Sequence, residues 1–127
     1  MLIEVPNGEV VDRATILQIK LERLNLGVND SMEMSLELDE LLEGAEQFGI
    51  SEKSNMYRRL KQINEYLWDA VAEQKELMEM DPNCVSNDSF EDVSRKVVRL
   101  NNSRFEVKRA IDQMTNSDML EFKETRQ

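Results

Sequence analysis

FEDVSRKVVRLNNSRFEVKRAIDQM, residues 90–114, is the stretch that decides the fold. Phe90, Val93, Val97, Leu100, Val107, Ile111 and Met114 recur at alternating steps of three and four, the spacing of an apolar seam on one face of an α-helix. The same spacing asks for one more apolar side chain between Leu100 and Val107. Arg104 stands there instead, with Asn101 one turn before it and Lys108 one turn after. A cation inside a core seam needs a partner, because an isolated buried charge is strongly disfavoured.

The rest of the chain reads outward from that helix. With 127 residues and 14.8 kDa, a single helical domain over residues 1–127 is expected, large enough for one core. Four Gly, two Pro and 40% apolar content in helix-period stretches give an all-α class. Residues 1–7 read as a short extended arm ending at Pro6, and 8–26 as helix one, with Val10, Ala14, Leu17, Leu21 and Leu24 on one face and Gly27 as its stop. Helix two spans 31–48, punctuated by Gly49, with Leu38, Leu41, Leu42, Ala45 and Phe48 inward. Helix three spans 52–80 up to the Asp81-Pro82-Asn83 turn, helix four 88–115, and 116–127 form a tail.

The two long helices predict an antiparallel hairpin with the shorter N-terminal helices laid across it, a four-helix, bundle-like fold. A turn centred near residues 84 and 85 sets Arg104 beside Asn64, Glu65 and Trp68. It also sets Arg95 and Arg99 against the acidic late half of helix three, Asp69, Glu73, Glu76 and Glu79. A hairpin only partly covered leaves apolar surface, which predicts a homodimer.

Composition narrows the chemistry. There is no histidine, which removes His-based triads and the commonest zinc ligand. No Walker loop, Rossmann fingerprint, HExxH, EF-hand or CxxC pattern is present, so no cofactor or metal is expected. A formal charge of −10 opposes nucleic acid and anionic membranes. No apolar run approaches a membrane span, the start MLIEVPNG lacks the pattern of a secretion signal, and Cys84 is the single cysteine; these point to the cytoplasm.

The residues that could carry a function form one set. Lys20 lies on the helix-one stripe beside the apolar face, and Asn101, Arg104 and Lys108 share a stripe of helix four. Asn64 and Trp68 come from helix three, and Asp12, Glu22 and Glu65 are available counter-ions. Two readings follow. Arg104 pairs with Glu65 or another carboxylate and fixes helix register, or Arg104, Lys20 and Lys108 hold a small phosphate or carboxylate ligand.

GEVVDRATILQIKLERL in helix one, NEYLW in helix three and RLNNSRFEVKRAI in helix four together resemble a family of small uncharacterised helical proteins of bacteria and their phages. That family's pattern is G-E-L-V-D-K-x-T-I-L-x-I-K, then N-E-x-L-W, then N-x-x-R-x-x-x-K-x-x-I. The resemblance carries Gly8, Glu9, Asp12, Thr15, Lys20, Asn64, Trp68, Asn101, Arg104 and Lys108, and implies a helical protein without an assigned activity. The acidic second helix is longer here than in that pattern. Arg13, Lys20 and Arg23 are also similar to the first helix of the helical chorismate mutases; no other part of that catalytic pattern is placed.

The expected function is accordingly a non-enzymatic protein-protein interaction module acting as a homodimer. The alternatives are a binding protein or enzyme for a small anionic metabolite using Lys20, Arg104 and Lys108, and an acidic phage-type inhibitor of a basic host protein.

Overall fold

A computed structural model describes residues 5–83 and 87–115, and among them there are four α-helices and no strand. They are α1 (Asn7–Arg23), α2 (Val28–Glu46), α3 (Asn55–Met80) and α4 (Asp88–Met114). The start of the expected arm, Cys84 and the expected tail lie outside the described residues.

The ends of the helices follow local chemistry. Pro6, in extended backbone, precedes α1 directly, so the helix begins one residue earlier than expected. It closes at Leu24, and Gly27, expected to stop α1, instead precedes α2, which starts at Val28 rather than 31. Gly49 does terminate α2: its φ of 87° lets its N–H bond to Glu46 O at 3.0 Å and that of Ile50 to Ala45 O at 3.0 Å. This reversal folds buried Ile50 back onto buried Ala45. The Asn87 side chain accepts from Ser89 N at 2.7 Å and caps α4.

α3 and α4 form the expected antiparallel hairpin. Gln74 Nε2 donates to Ser94 Oγ at 3.0 Å near the turn, and far from it Asn64 and Arg104 both reach Asp12. α1 packs on both helices of the hairpin, antiparallel to α4. α2 leans mainly on α1 rather than lying across the hairpin, and only its C-terminal part enters the core. Val11, Ala14, Ala45, Ile50, Tyr57, Leu60, Ile63, Leu67, Val107 and Ile111 make that core. Each fully buried Leu or Ile contributes about 1.5–3 kcal/mol.

Gly8 sets how closely α1 approaches α4. A Cβ placed there would stand 2.3 Å from the carbonyl oxygen of Lys108, so only glycine lets the two backbones meet. The Gly8 N–H, at the positive end of α1, donates to Asp112 Oδ1 at 2.7 Å.

The turn-proximal part of the hairpin extends beyond the cover of α1. Ala70 and Val93 are buried between the two helices there, while Val71, Met78 and Val98 are about half exposed or more. Val71 follows Ala70 and Val98 follows Val97, and in an antiparallel pair the positions one step past the seam face the same side. That side is the one α1 occupies further along. The expected ion pairs across this region are absent: Arg95 pairs with Glu91 of its own helix, and Arg99, Glu73, Glu76 and Glu79 have no salt bridge among the described residues. The hairpin is held by its apolar seam.

Candidate functional site: a buried ion network beside an apolar notch

Asp12 stands where α1 crosses the hairpin and is 1% exposed. Its carboxylate accepts from Arg104 Nε at 3.0 Å and Nη2 at 2.5 Å, and from Asn64 Nδ2 at 2.9 Å. Lys108 Nζ lies 3.7 Å from the same carboxylate and donates to Glu9 at 2.7 Å. Asn64 Nδ2 also donates to Thr15 Oγ1 at 2.9 Å, and Thr15 donates back to the Asp12 carbonyl oxygen at 2.7 Å. Three helices therefore meet in one network of two carboxylates and two cations, and no buried polar side-chain atom among the described residues lacks a partner.

Arg104 interrupts the seam because its counter-ion is Asp12, not Glu65. Glu65 is engaged elsewhere, 3.9 Å from Arg23 and 4.0 Å from Lys61. Burial pushes the Asp12 carboxyl upward, but hydrogen bonds from Arg104 and Asn64, with the charges of Arg104 and Lys108, outweigh it and hold Asp12 below the usual carboxylate range. The Lys108 hydrogen bond lowers Glu9 against its own burial, and the Asp12 hydrogen bond raises Arg104. These shifts keep Asp12, Glu9 and Arg104 charged at neutral pH.

Beside this network lies a notch of about 480 Å³, where α1 leaves the hairpin. Ile16, Ile19, Leu67, Trp68 and Val71 form its apolar walls, and Asn64, Arg104, Asn101 and Lys75 supply its polar edge. A second, smaller cleft of about 170 Å³ is lined by Asn101, Arg104, Phe105 and Lys108.

Of the residues singled out in the sequence, Asn64, Trp68, Asn101 and Arg104 line the notch. Asp12 stands behind Arg104, and Lys108 reaches the smaller cleft while paired with Glu9. Lys20 lines neither cavity, so the three cations Lys20, Arg104 and Lys108 do not share one. The likeness to chorismate mutases finds no support in placement: Arg13 pairs with Glu9 on the surface and Arg23 with Asp69, outside the notch. Ile16, Ile19, Val71 and Lys75 were not singled out as site residues. Ile16 and Ile19 look in sequence like ordinary positions on an amphipathic helix, and Lys75 sits among acids that mask it.

The fold and site define a small all-helical protein with a buried ionic latch and an open apolar notch. The chain belongs to the family of unknown function DUF6165, whose model matches residues 1–126. No curated protein and no solved structure matches it.

Proposed function

We propose that the protein is a non-enzymatic interaction module that works as a homodimer through the uncovered arm of its hairpin. The carrying observation is a pair of complementary surfaces on the same chain. One is the arm, where half-exposed Val71, Met78 and Val98 accompany Lys75, Arg95 and Arg99. The other is the outer stripe of α2, where Val28, Met32 and Leu36 recur every four residues at 76%, 59% and 63% exposure. Its flanking charges Asp30, Glu33, Glu37, Asp39 and Glu40 are all acidic.

Two α2 stripes repel one another, whereas the apolar stripe of α2 in one copy fits the half-exposed Val71, Met78 and Val98 of the other, where Lys75 and Arg99 carry no salt bridge among the described residues. A two-fold dimer makes that contact twice. The small-anion alternative has less support, because Arg104 and Lys108 at the smaller cleft are each already ion-paired.

A charge swap tests the dimer. Lys75→Glu with Arg95→Glu weakens self-association in sedimentation, and Glu33→Lys with Glu37→Lys does the same. Mixing the two variants restores it, because both contacts of the mixed dimer then pair opposite charges. Variants that all associate like the wild type refute the proposed surfaces.

A further inference from the structure

The notch has a polar edge whose hydrogen-bonding sense can be derived. Asn64 is 6% exposed, and its amide nitrogen donates to both Asp12 and Thr15. Those two bonds fix the orientation of the amide, since the carbonyl end could not donate to a carboxylate. Asn64 Oδ1 accepts no hydrogen bond from the described residues. No polar side-chain atom among them is sealed away without a partner, so Oδ1 remains accessible, and Asn64 lines the notch. Arg104 bonds Asp12 through Nε and Nη2, which leaves Nη1 without a hydrogen-bond partner among the described residues. The polar lining of the notch therefore carries an unengaged acceptor on Asn64 and an unengaged donor on Arg104.

The electrostatics define what this edge selects. Asp12 behind Arg104 already balances its charge, so the guanidinium is better suited to a neutral carbonyl oxygen than to a full anion. Lys75, lining the other end of the notch, has no salt bridge among the described residues, and no carboxylate lines the notch. In a chain of net charge −10, a lining without acids sets the notch apart from the rest of the surface. Asn64 and Lys75 are about 16 Å apart along α3, a distance the lysine chain shortens by reaching back. The volume of about 480 Å³ lies in the range of small-molecule pockets.

We infer that the notch is a binding site for a planar heterocycle with an N–H beside a C=O and an anionic substituent, the chemistry of a pyrimidine nucleotide. The N–H donates to Asn64 Oδ1, the carbonyl accepts from Arg104, the ring lies among Ile16, Leu67, Trp68 and Val71, and the anionic group reaches Lys75.

Trp68 is the only tryptophan of the chain and lines the notch, so its fluorescence reports occupancy directly. Uridine monophosphate titrated into the full chain gives a saturable change in Trp68 emission at millimolar concentration or below. The N3-methyl analogue, in which N–CH3 replaces the N–H, binds at least tenfold more weakly. Lys75→Ala weakens uridine monophosphate several-fold and leaves uridine unchanged. The comparison changes the ligand rather than Asn64, whose replacement would also unpair Asp12.

Val71 and Lys75 also belong to the proposed dimer contact, so Val98→Glu, outside the notch, keeps or tightens the affinity, which separates this site from that contact. No change in emission, equal binding of the methylated analogue, or loss of binding in Val98→Glu would overturn the inference.

Discussion

Asp12 of α1 and Arg104 of α4 hold each other through two parallel hydrogen bonds, 3.0 and 2.5 Å long, with Asp12 buried and Arg104 partly open to the notch. The pair fixes where α1 crosses the hairpin. Its geometry is the bidentate fork that a lysine at position 104 could not reproduce.

Breaking one side of this pair leaves a buried charge without its strongest partner. Arg104→Met and Asp12→Leu are each expected to lower unfolding stability by about 3–5 kcal/mol, whereas the double replacement recovers much of the loss. Urea unfolding of the four proteins of the cycle measures this coupling. Strict additivity of the two single effects would show that the pair does not act as a unit.

The same network makes stability depend on pH in a defined direction. Asp12 and Glu9 are both held below the usual carboxylate range in the folded chain. A lowered folded value means that the unfolded state binds protons first as pH falls. Their contribution is therefore fully present above about pH 4–5, the unfolded carboxylate range, and is lost on acidification through the folded values. The urea midpoint should stay level from pH 7 to 5 and fall steeply below 4, with a shallower fall in the Asp12→Leu, Arg104→Met double variant.

Gly8 offers an independent check of the α1 and α4 contact. A methyl group at this position meets the Lys108 backbone, which cannot move aside as a flexible side chain could. Gly8→Ala is expected to cost about 1–3 kcal/mol, the range for overpacking a close contact, although alanine is the better helix former. Gly44, with open space around it, is the control: Gly44→Ala should stabilise by about 0.5–1 kcal/mol. Thermal unfolding of both variants gives the two signs.

The architecture was legible because it depends on short-range pattern. The seam of residues 90–114 predicts α4, the Asp81-Pro82-Asn83 turn predicts the hairpin, and Gly49 predicts the end of α2. The partner of Arg104 was less legible. Helical periodicity places Glu65 and Asn64 near Arg104 equally well, but only the crossing of α1, set by the Gly8 contact, brings Asp12 onto it. The notch was hidden for a related reason. Ile16 and Ile19 stand outside the apolar face expected for helix one, and only the packing of α1 on the hairpin turns them into the wall of a cavity.

The acidic α2 carries no cation, and its packing mainly on α1 is a tertiary feature that helical periodicity does not specify. Charge pattern misled in the hairpin, where Arg95 found Glu91 one turn away rather than an acid on α3. Exposed pairs of that kind contribute little, about 0.3–0.5 kcal/mol, and do not decide a fold.

The proposed function requires a second copy of the chain to cover the arm. Light scattering coupled to size exclusion measures this most directly. A mass of twice 14.8 kDa is expected for the wild type, falling to 14.8 kDa for Val98→Glu and for Met32→Glu without loss of helix content. A wild-type mass of 14.8 kDa at every concentration, up to the millimolar range, would contradict it.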